Sequence, residues 1–347
     1  MPTSTSGPGG RPAADLAAVL DRFPRVALAT LPTPLEPAPR LSVELGAEVW
    51  IKRDDLTGLG LGGNKARKLE FLLGAARAEG CDTVVTFGAL QSNHARQTAA
   101  ACARLGLRCE LVLTRAVPRD GTAYLHGANV LLDELFGAHC TVVDNDDVAL
   151  GAAVDAVRAG VADRGGRARW IPPGGSDAIG TLGYVAAGLE LAGQLASARQ
   201  RPSDVVVAVS TGGTHAGLLV GLRAAGVDAT VRGVAVYRDA ARTHDAVTDL
   251  VAAVDELAGT ATPGDAVELS DRFRGPGYGL PTDGMAEAVR MVARAEGIAL
   301  DPVYSGKAAD ALVTWCREGA LGPGPVVFVH TGGTPGLFAY PDVFPGA

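Results

Sequence analysis

Lysine occupies only four positions, Lys52, Lys65, Lys68 and Lys307, in a chain with 31 basic Lys and Arg residues. Arginine therefore carries nearly every generic positive charge. A guanidinium keeps its proton in a protein, whereas a buried lysine amine can serve as nucleophile or base. Scarcity marks these four as candidates for amine chemistry, although compositional drift would also leave a few scattered lysines. Lys65 stands out among them. It follows Gly62-Gly63-Asn64 and opens a stretch of helical periodicity, a place where a covalent cofactor anchor could sit.

Other positions could bind anions. The segment Ser210-Thr211-Gly212-Gly213-Thr214-His215-Ala216-Gly217 lies between an apolar run and a helical pattern. Glycines let backbone approach a ligand, hydroxyls add donors, and a helix start offers unpaired N–H groups with partial positive charge. This suits a phosphate; a tight strand-to-helix turn would read the same way. No Gly-Lys-Ser/Thr closes the loop and no G-x-G-x-x-G is present, so neither nucleotide fingerprint applies. Gln91-Ser92-Asn93-His94 sits at a second such turn, either as an ordinary N-cap or as a pocket for a substrate carboxylate. Asp301-Pro302-Val303-Tyr304-Ser305-Gly306-Lys307 precedes a helix, and His330-Thr331-Gly332-Gly333 follows the last apolar strand. Gly277-Tyr278-Gly279 places an aromatic between glycines, more often a turn than a site. One amine at a helix start, a phosphate-suited loop and a carboxylate-suited loop together meet the needs of pyridoxal phosphate.

The elements that must position these residues follow from periodicity. A helix is expected over 15–23, then a proline-punctuated arm and a strand over 48–52. Leu69, Leu72, Leu73 and Ala76 continue a helix from Lys65 to a stop at Gly80. Strands are expected over 83–87 and 109–113, flanking a helix from Asn93 to about Leu105. Short joints of this kind imply parallel βαβ units. Strands over 204–209, 231–237 and 325–330 and helices over 216–225, 284–296 and 306–318 repeat the grammar. The acidic stretch over 133–147 reads as surface turns. The fold class is α/β, with two open, mostly parallel αβα domains and a cleft between them.

Length and composition agree. The 347 residues suffice for two domains, and hydrophobic residues make up 47%. A net charge of −7 argues against nucleic acid or an anionic membrane as partner. No apolar run has spanning length, and the cytoplasm is the default location. Five scattered cysteines and six histidines show no metal spacing. Residues 1–12, rich in Ser, Thr, Pro and Gly, read as a disordered tail.

The motifs IKRDDLTG, GGNKARKLE, QSNHARQ, GTHAG, GYGLP, DPVYSGKA and HTGG resemble the D-cysteine desulfhydrase and 1-aminocyclopropane-1-carboxylate (ACC) deaminase family. Its members are pyridoxal-phosphate enzymes with a tryptophan-synthase-β-like fold. The matches run in order from about residue 30 to 340. The resemblance implies that Lys65 carries the cofactor covalently, that Asn93 lies beside its ring, and that Ser92, with His94 close by, holds the substrate carboxylate. It assigns the phosphate loop to Thr211, Gly212, Gly213 and Thr214, and substrate-side tyrosines to Tyr278 and Tyr304. It also implies a large cofactor-binding domain of residues 13–58 and 176–347, a small domain of 59–175, and a homodimer.

Two positions bear on the reaction. ACC deaminases carry a glutamate facing the cofactor's pyridine nitrogen where this chain has Ser305, and an apolar residue where it has Thr331. The hydroxyl pair is similar to the desulfhydrase pattern. A neutral partner at the ring nitrogen suits elimination of a good β leaving group over opening of a cyclopropane. The expected activity is therefore α,β-elimination from a β-substituted amino acid, foremost D-cysteine to pyruvate, ammonia and hydrogen sulfide. ACC deamination, L-cysteate sulfolysis and a non-catalytic cofactor- or amino-acid-binding protein are the alternatives. Lys65 is the expected base, or Ser92 or a tyrosine if the α-proton faces the other way. Ser210-Thr211 before the glycines and Asp177 depart from the relatives' pattern and leave room for a related substrate.

Overall fold

The computed structural model describes residues 13–345; the expected tail over 1–12 lies outside them. Among the described residues ten strands form two sheets. We number them β1 (Leu35–Pro37), β2 (Val49–Arg53), β3 (Thr83–Ala89), β4 (Arg108–Thr114), β5 (His139–Val143), β6 (Ala168–Ile171), β7 (Asp204–Val209), β8 (Thr230–Ala235), β9 (Glu268–Ser270) and β10 (Val326–His330). The six-stranded sheet has the order β1-β2-β10-β7-β8-β9, and the four-stranded sheet β5-β4-β3-β6. Every pairing is parallel except β1 with β2. Helices cover both sheets, as parallel strands buried on two faces require.

Valine-rich strands form the middle of the large sheet: every residue of β7 and of β10 is buried. Helices Ala178–Ser197 and Gly213–Ala224 pack on one face, where Gly188 and Gly221 meet. A Cβ on Gly188 would stand 2.9 Å from the Gly221 Cα, so small residues set that close approach. Helix Ala178–Ser197 is absent from the sequence reading because it is apolar nearly all round, which blurs a 3.6-residue period. The stretch 133–147 also departs from its expectation as surface turns. It contains the end of helix Ala128–Leu135, edge strand β5, and Asp146 capping helix Asp147–Asp163. An edge strand of five half-exposed residues carries too little apolar signal to declare itself.

The lysine-bearing helix Lys65–Ala78 is held by a buried ion network. Arg67 donates to both carboxylate oxygens of Asp54, at 2.8 and 2.9 Å, and to both of Glu190, at 3.0 and 2.8 Å. Lys52 joins Glu190 and donates to the Thr33 carbonyl at 2.7 Å, which ties in the proline-punctuated arm. Removing one partner would strand a charge in the interior, so the network fixes register strongly even if it adds little net stability.

Candidate active site

The C-terminal ends of both sheets converge on one cavity of about 270 Å³. The turns after β3, β6, β7, β8 and β10 all contribute lining residues, as expected for a ligand site of open parallel sheets. Of the residues singled out from the sequence, Lys65, Ser92, Asn93, His94, Thr211, Gly212, Thr214, Tyr278, Tyr304 and Thr331 line it. Gly213 and Ser305 are buried outside that lining.

The lysine loop is shaped by glycine. Gly62 adopts φ 73°, and a Cβ there would lie 1.8 Å from the Asp55 carbonyl oxygen, so no other residue fits. Thr57 Oγ1 fixes both polar groups of Gly63, accepting from its N–H at 2.7 Å and donating to its carbonyl at 2.8 Å. Lys65 Nζ emerges on the cavity and donates to Asn64 Oδ1 at 2.9 Å. Asn64 Nδ2 donates in turn to Thr214 Oγ1 at 2.9 Å, linking the amine to the 210–217 loop. Burial, and then the Arg96 charge, lower the Lys65 amine to about 8, with Asp301 opposing. Near neutrality an appreciable fraction is a free nucleophile.

That loop forms an anion cradle. Gly212, at φ 92°, starts helix Gly213–Ala224 with no side-chain cap of its own; Gly213 N–H reaches Ser176 Oγ at 3.4 Å, and Thr214 and His215 of the first turn line the cavity. Lys68 stands beside this helix start. It is fully buried. Its Nζ donates to the Gly174 carbonyl at 3.2 Å and Ser176 Oγ at 3.0 Å, both neutral. Ser176 Oγ also bonds Thr211 Oγ1 at 2.7 Å. Desolvation, and then Lys65, hold the Lys68 amine well below its ordinary value, with Asp177 opposing. A buried amine hydrogen-bonded only to neutral oxygens beside an uncapped helix start fits a phosphate.

The carboxylate-suited turn combines both of its readings. Ser92 Oγ accepts from Ala95 N–H at 3.2 Å as an N-cap, yet its own proton remains available to a ligand. His94 is neutral. Thr86 Oγ1 donates to the Ile171 carbonyl and so accepts from His94 Nε2, at 2.9 Å each, while burial, Lys65 and Lys68 push the ring well below its usual range. The Tyr278 and Tyr304 hydroxyls, also at the cavity, bond each other. Burial raises both phenols, so each keeps its proton at neutral pH. Lys307 holds the loop leading to Tyr278 by donating to the Arg274 and Gly277 carbonyls at 2.6 and 3.1 Å. Ser305 Oγ donates to Asp301 Oδ1 at 2.6 Å. Tyr237 and Arg238 also line the cavity and went unnoticed in the sequence, since no glycine or motif marks the end of β8.

A family described as pyridoxal-phosphate dependent enzyme matches residues 26–332. The chain belongs to that family. The cradle and the Lys65 amine fit the family's cofactor on their own chemistry. D-cysteine desulfhydrases of Salmonella choleraesuis (strain SC-B67) and Salmonella paratyphi C (strain RKS4594) are each 45% identical over 326 residues, covering 92% of this chain and 97% of theirs. A solved family structure described as an ACC deaminase homologue is 41% identical, with TM-score 0.86 and coverage of 94% of this chain and 97% of its own. A fungal L-serine ammonia-lyase from Rhizomucor miehei shares the fold at 21% identity and TM-score 0.65, over 91% of this chain and 99% of its own.

Proposed function

We propose that the chain is a carbon–sulfur lyase that converts D-cysteine and water to pyruvate, ammonia and hydrogen sulfide. The 45% identity to D-cysteine desulfhydrases over nearly the whole length carries this reading. The site supports it: among the described residues no carboxylate lines the cavity, and the position that resembles the deaminases' glutamate is Ser305.

When bound, pyridoxal phosphate supplies an aldehyde that takes up an amine and a conjugated ring that accepts the electron pair of a broken Cα–H bond. In this proposal Lys68, Thr211, Thr214 and the start of helix Gly213–Ala224 would hold the phosphate, Lys65 would bond the aldehyde, and Thr331 would sit at the ring, with Ser305 acting on it from behind the cavity lining, its hydroxyl given to Asp301. Ser92 O–H and the start of helix Asn93–Leu105 hold the substrate carboxylate, with Asn93 and His94 beside it. The Lys65 amine would accept the α-proton of the bound amino acid. Tyr278 and Tyr304 keep a protonated hydroxyl pair with which to donate to the sulfur as the C–S bond breaks and its pair leaves with thiolate. The resulting enamine takes up water to give pyruvate and ammonia.

A keto-acid release screen over D- and L-cysteine, β-chloroalanine, cysteate, serine and ACC tests the reading. Pyruvate with sulfide from D-cysteine is expected. 2-Oxobutyrate from ACC would favour the second reading, to which the solved ACC deaminase homologue gives weight. Sulfite from cysteate would indicate a sulfolyase, and no turnover of any would indicate a binding protein.

The same proposal places the small domain at residues 59–175, carrying the four-stranded sheet, and the large domain at 13–58 and 176–347. It includes a homodimer. Leu61, Leu131, Leu135 and Phe338 are exposed apolar side chains on neighbouring elements, since helix Ala128–Leu135 packs against Thr334–Leu337. Leu135→Glu is expected to shift the sedimentation coefficient to that of a monomer. Five free thiols suit a reducing compartment, and we place the chain in the cytoplasm. Among the described residues no helix is long and apolar enough to cross a membrane.

A further inference from the structure

The helix that starts at Asn93 carries a side chain with no part in the scheme above. Arg96 is fully buried one turn into that helix. Its Nη1 donates to Asn93 Oδ1 at 3.0 Å and to Asn129 Oδ1 at 2.7 Å, and its Nη2 donates to the Gly62 carbonyl at 2.6 Å. Asn129 Nδ2 donates to the same Asn93 oxygen at 3.0 Å and to the Gln91 carbonyl at 2.9 Å. Two donors thus converge on one amide oxygen. The reverse orientation of Asn93 would set its NH2 group against the guanidinium, with no acceptor between them, so the amide has one stable orientation. Its NH2 points away from Arg96, toward the Gly332-Gly333 edge of the cavity: Nδ2 lies 3.1 Å from where a Cβ on Gly333 would stand.

We propose that Arg96 is a positioning residue that locks Asn93 as a hydrogen-bond donor toward the cofactor ring and, through the Gly62 carbonyl, clamps the loop that presents Lys65. One guanidinium joins the segment that carries Asn93 to the loop that presents Lys65, both of which line the cavity. The inference rests on the cofactor occupying this cavity and is independent of which amino acid is the substrate. The charged groups facing Arg96 are Asp133 from helix Ala128–Leu135, Asp301 from the turn before helix Ser305–Glu318, and Lys65. Asp133 is itself fully buried, with no hydrogen-bond partner on either oxygen among the described residues; burial pushes its carboxyl up to about 8, with the Arg96 charge opposing, so near neutrality it is mostly protonated.

The test measures cofactor dissociation from the full-length protein by equilibrium dialysis, with Arg96→Met, Asn93→Ala and the pair combined. Arg96→Met is expected to weaken binding roughly tenfold, the scale of one lost charge-assisted hydrogen bond. Asn93→Ala should add less than about twofold on top of it, because an unlocked amide has already lost its contribution. Losses that multiply in the combined variant, or unchanged binding in Arg96→Met, would overturn the proposal. Should Arg96→Met fail to fold because the unpartnered Asp133 carboxyl loses its neighbouring charge, Arg96→Met/Asp133→Leu carries the same expectation. Arg96→Lys keeps the charge without the three-way grip and should not restore binding; full restoration would show that charge alone matters. Tight cofactor binding without D-cysteine turnover would sink the lyase reading and leave this one standing.

Discussion

Replacing Lys68 by methionine removes an amine while keeping most of the side-chain volume, and its two consequences run in opposite directions. In the cofactor-free chain the amine is fully buried with only neutral acceptors. Its pKa is depressed by burial first and by Lys65 second. Between the depressed folded value and the ordinary unfolded one, the unfolded chain holds more protons, so this group makes stability rise with pH and costs stability as pH falls. Lys68→Met removes that cost. The cofactor-free variant should be at least as stable as the parent in a urea melt, with a weaker dependence on pH below the ordinary lysine range. Cofactor binding should suffer instead. A charge-assisted hydrogen bond to a phosphate contributes about 1.5–3 kcal/mol, which corresponds to about 10- to 150-fold in Kd. Spectrophotometric titration of cofactor-free protein with pyridoxal phosphate near neutral pH measures this directly. A Kd within twofold of the parent would refute the placement of the phosphate beside Lys68.

Three further outcomes are expected. The rate at which cofactor-free protein captures pyridoxal phosphate, followed by stopped-flow absorbance, should climb with pH and level off above about 8, as the Lys65 amine loses its proton; Lys65→Ala should show no such phase. Arg67→Gln breaks the buried contacts to Asp54 and Glu190 and should lower unfolding free energy in urea by about 3–5 kcal/mol, against under 1 for an exposed pair. Lys307→Met frees the Arg274 and Gly277 carbonyls, loosening the loop that presents Tyr278. It should raise KM more than it lowers kcat, with a loss of about 1–3 kcal/mol in stability.

Much of the site was legible because its parts announce themselves. Glycines cluster where backbone must reach a left-handed conformation, at Gly62 and Gly212, and each cluster opens a helix. Helix bounds near 65–78 and 93–105 followed from apolar spacing and from Gly106 as a stop. What stayed hidden depends on contacts distant in sequence. Lys68 reads as a solvated helical residue until Gly174–Ser176, more than a hundred positions away, closes over it. Arg96 reads as one more surface charge in an Arg-rich chain, since nothing local shows that Gly62 and Asn129 will surround it. The hydroxyl of Ser305, expected beside the cofactor ring, is engaged with Asp301, four residues back.

The burial of the four lysines reaches beyond the reaction. Lys52, Lys68 and Lys307 lie in the interior, and Lys65 opens only onto the cavity, so no lysine side chain is displayed to solvent. Free pyridoxal phosphate is an indiscriminate aldehyde that condenses with accessible amines wherever it meets them. A protein coated in arginine offers it no lysine decoy on the outside. The solvation preference that makes one amine reactive thus also cleans the background: side-chain labelling by aldehydes or amine-directed acylating reagents should report on a single pocket rather than on the whole molecular surface.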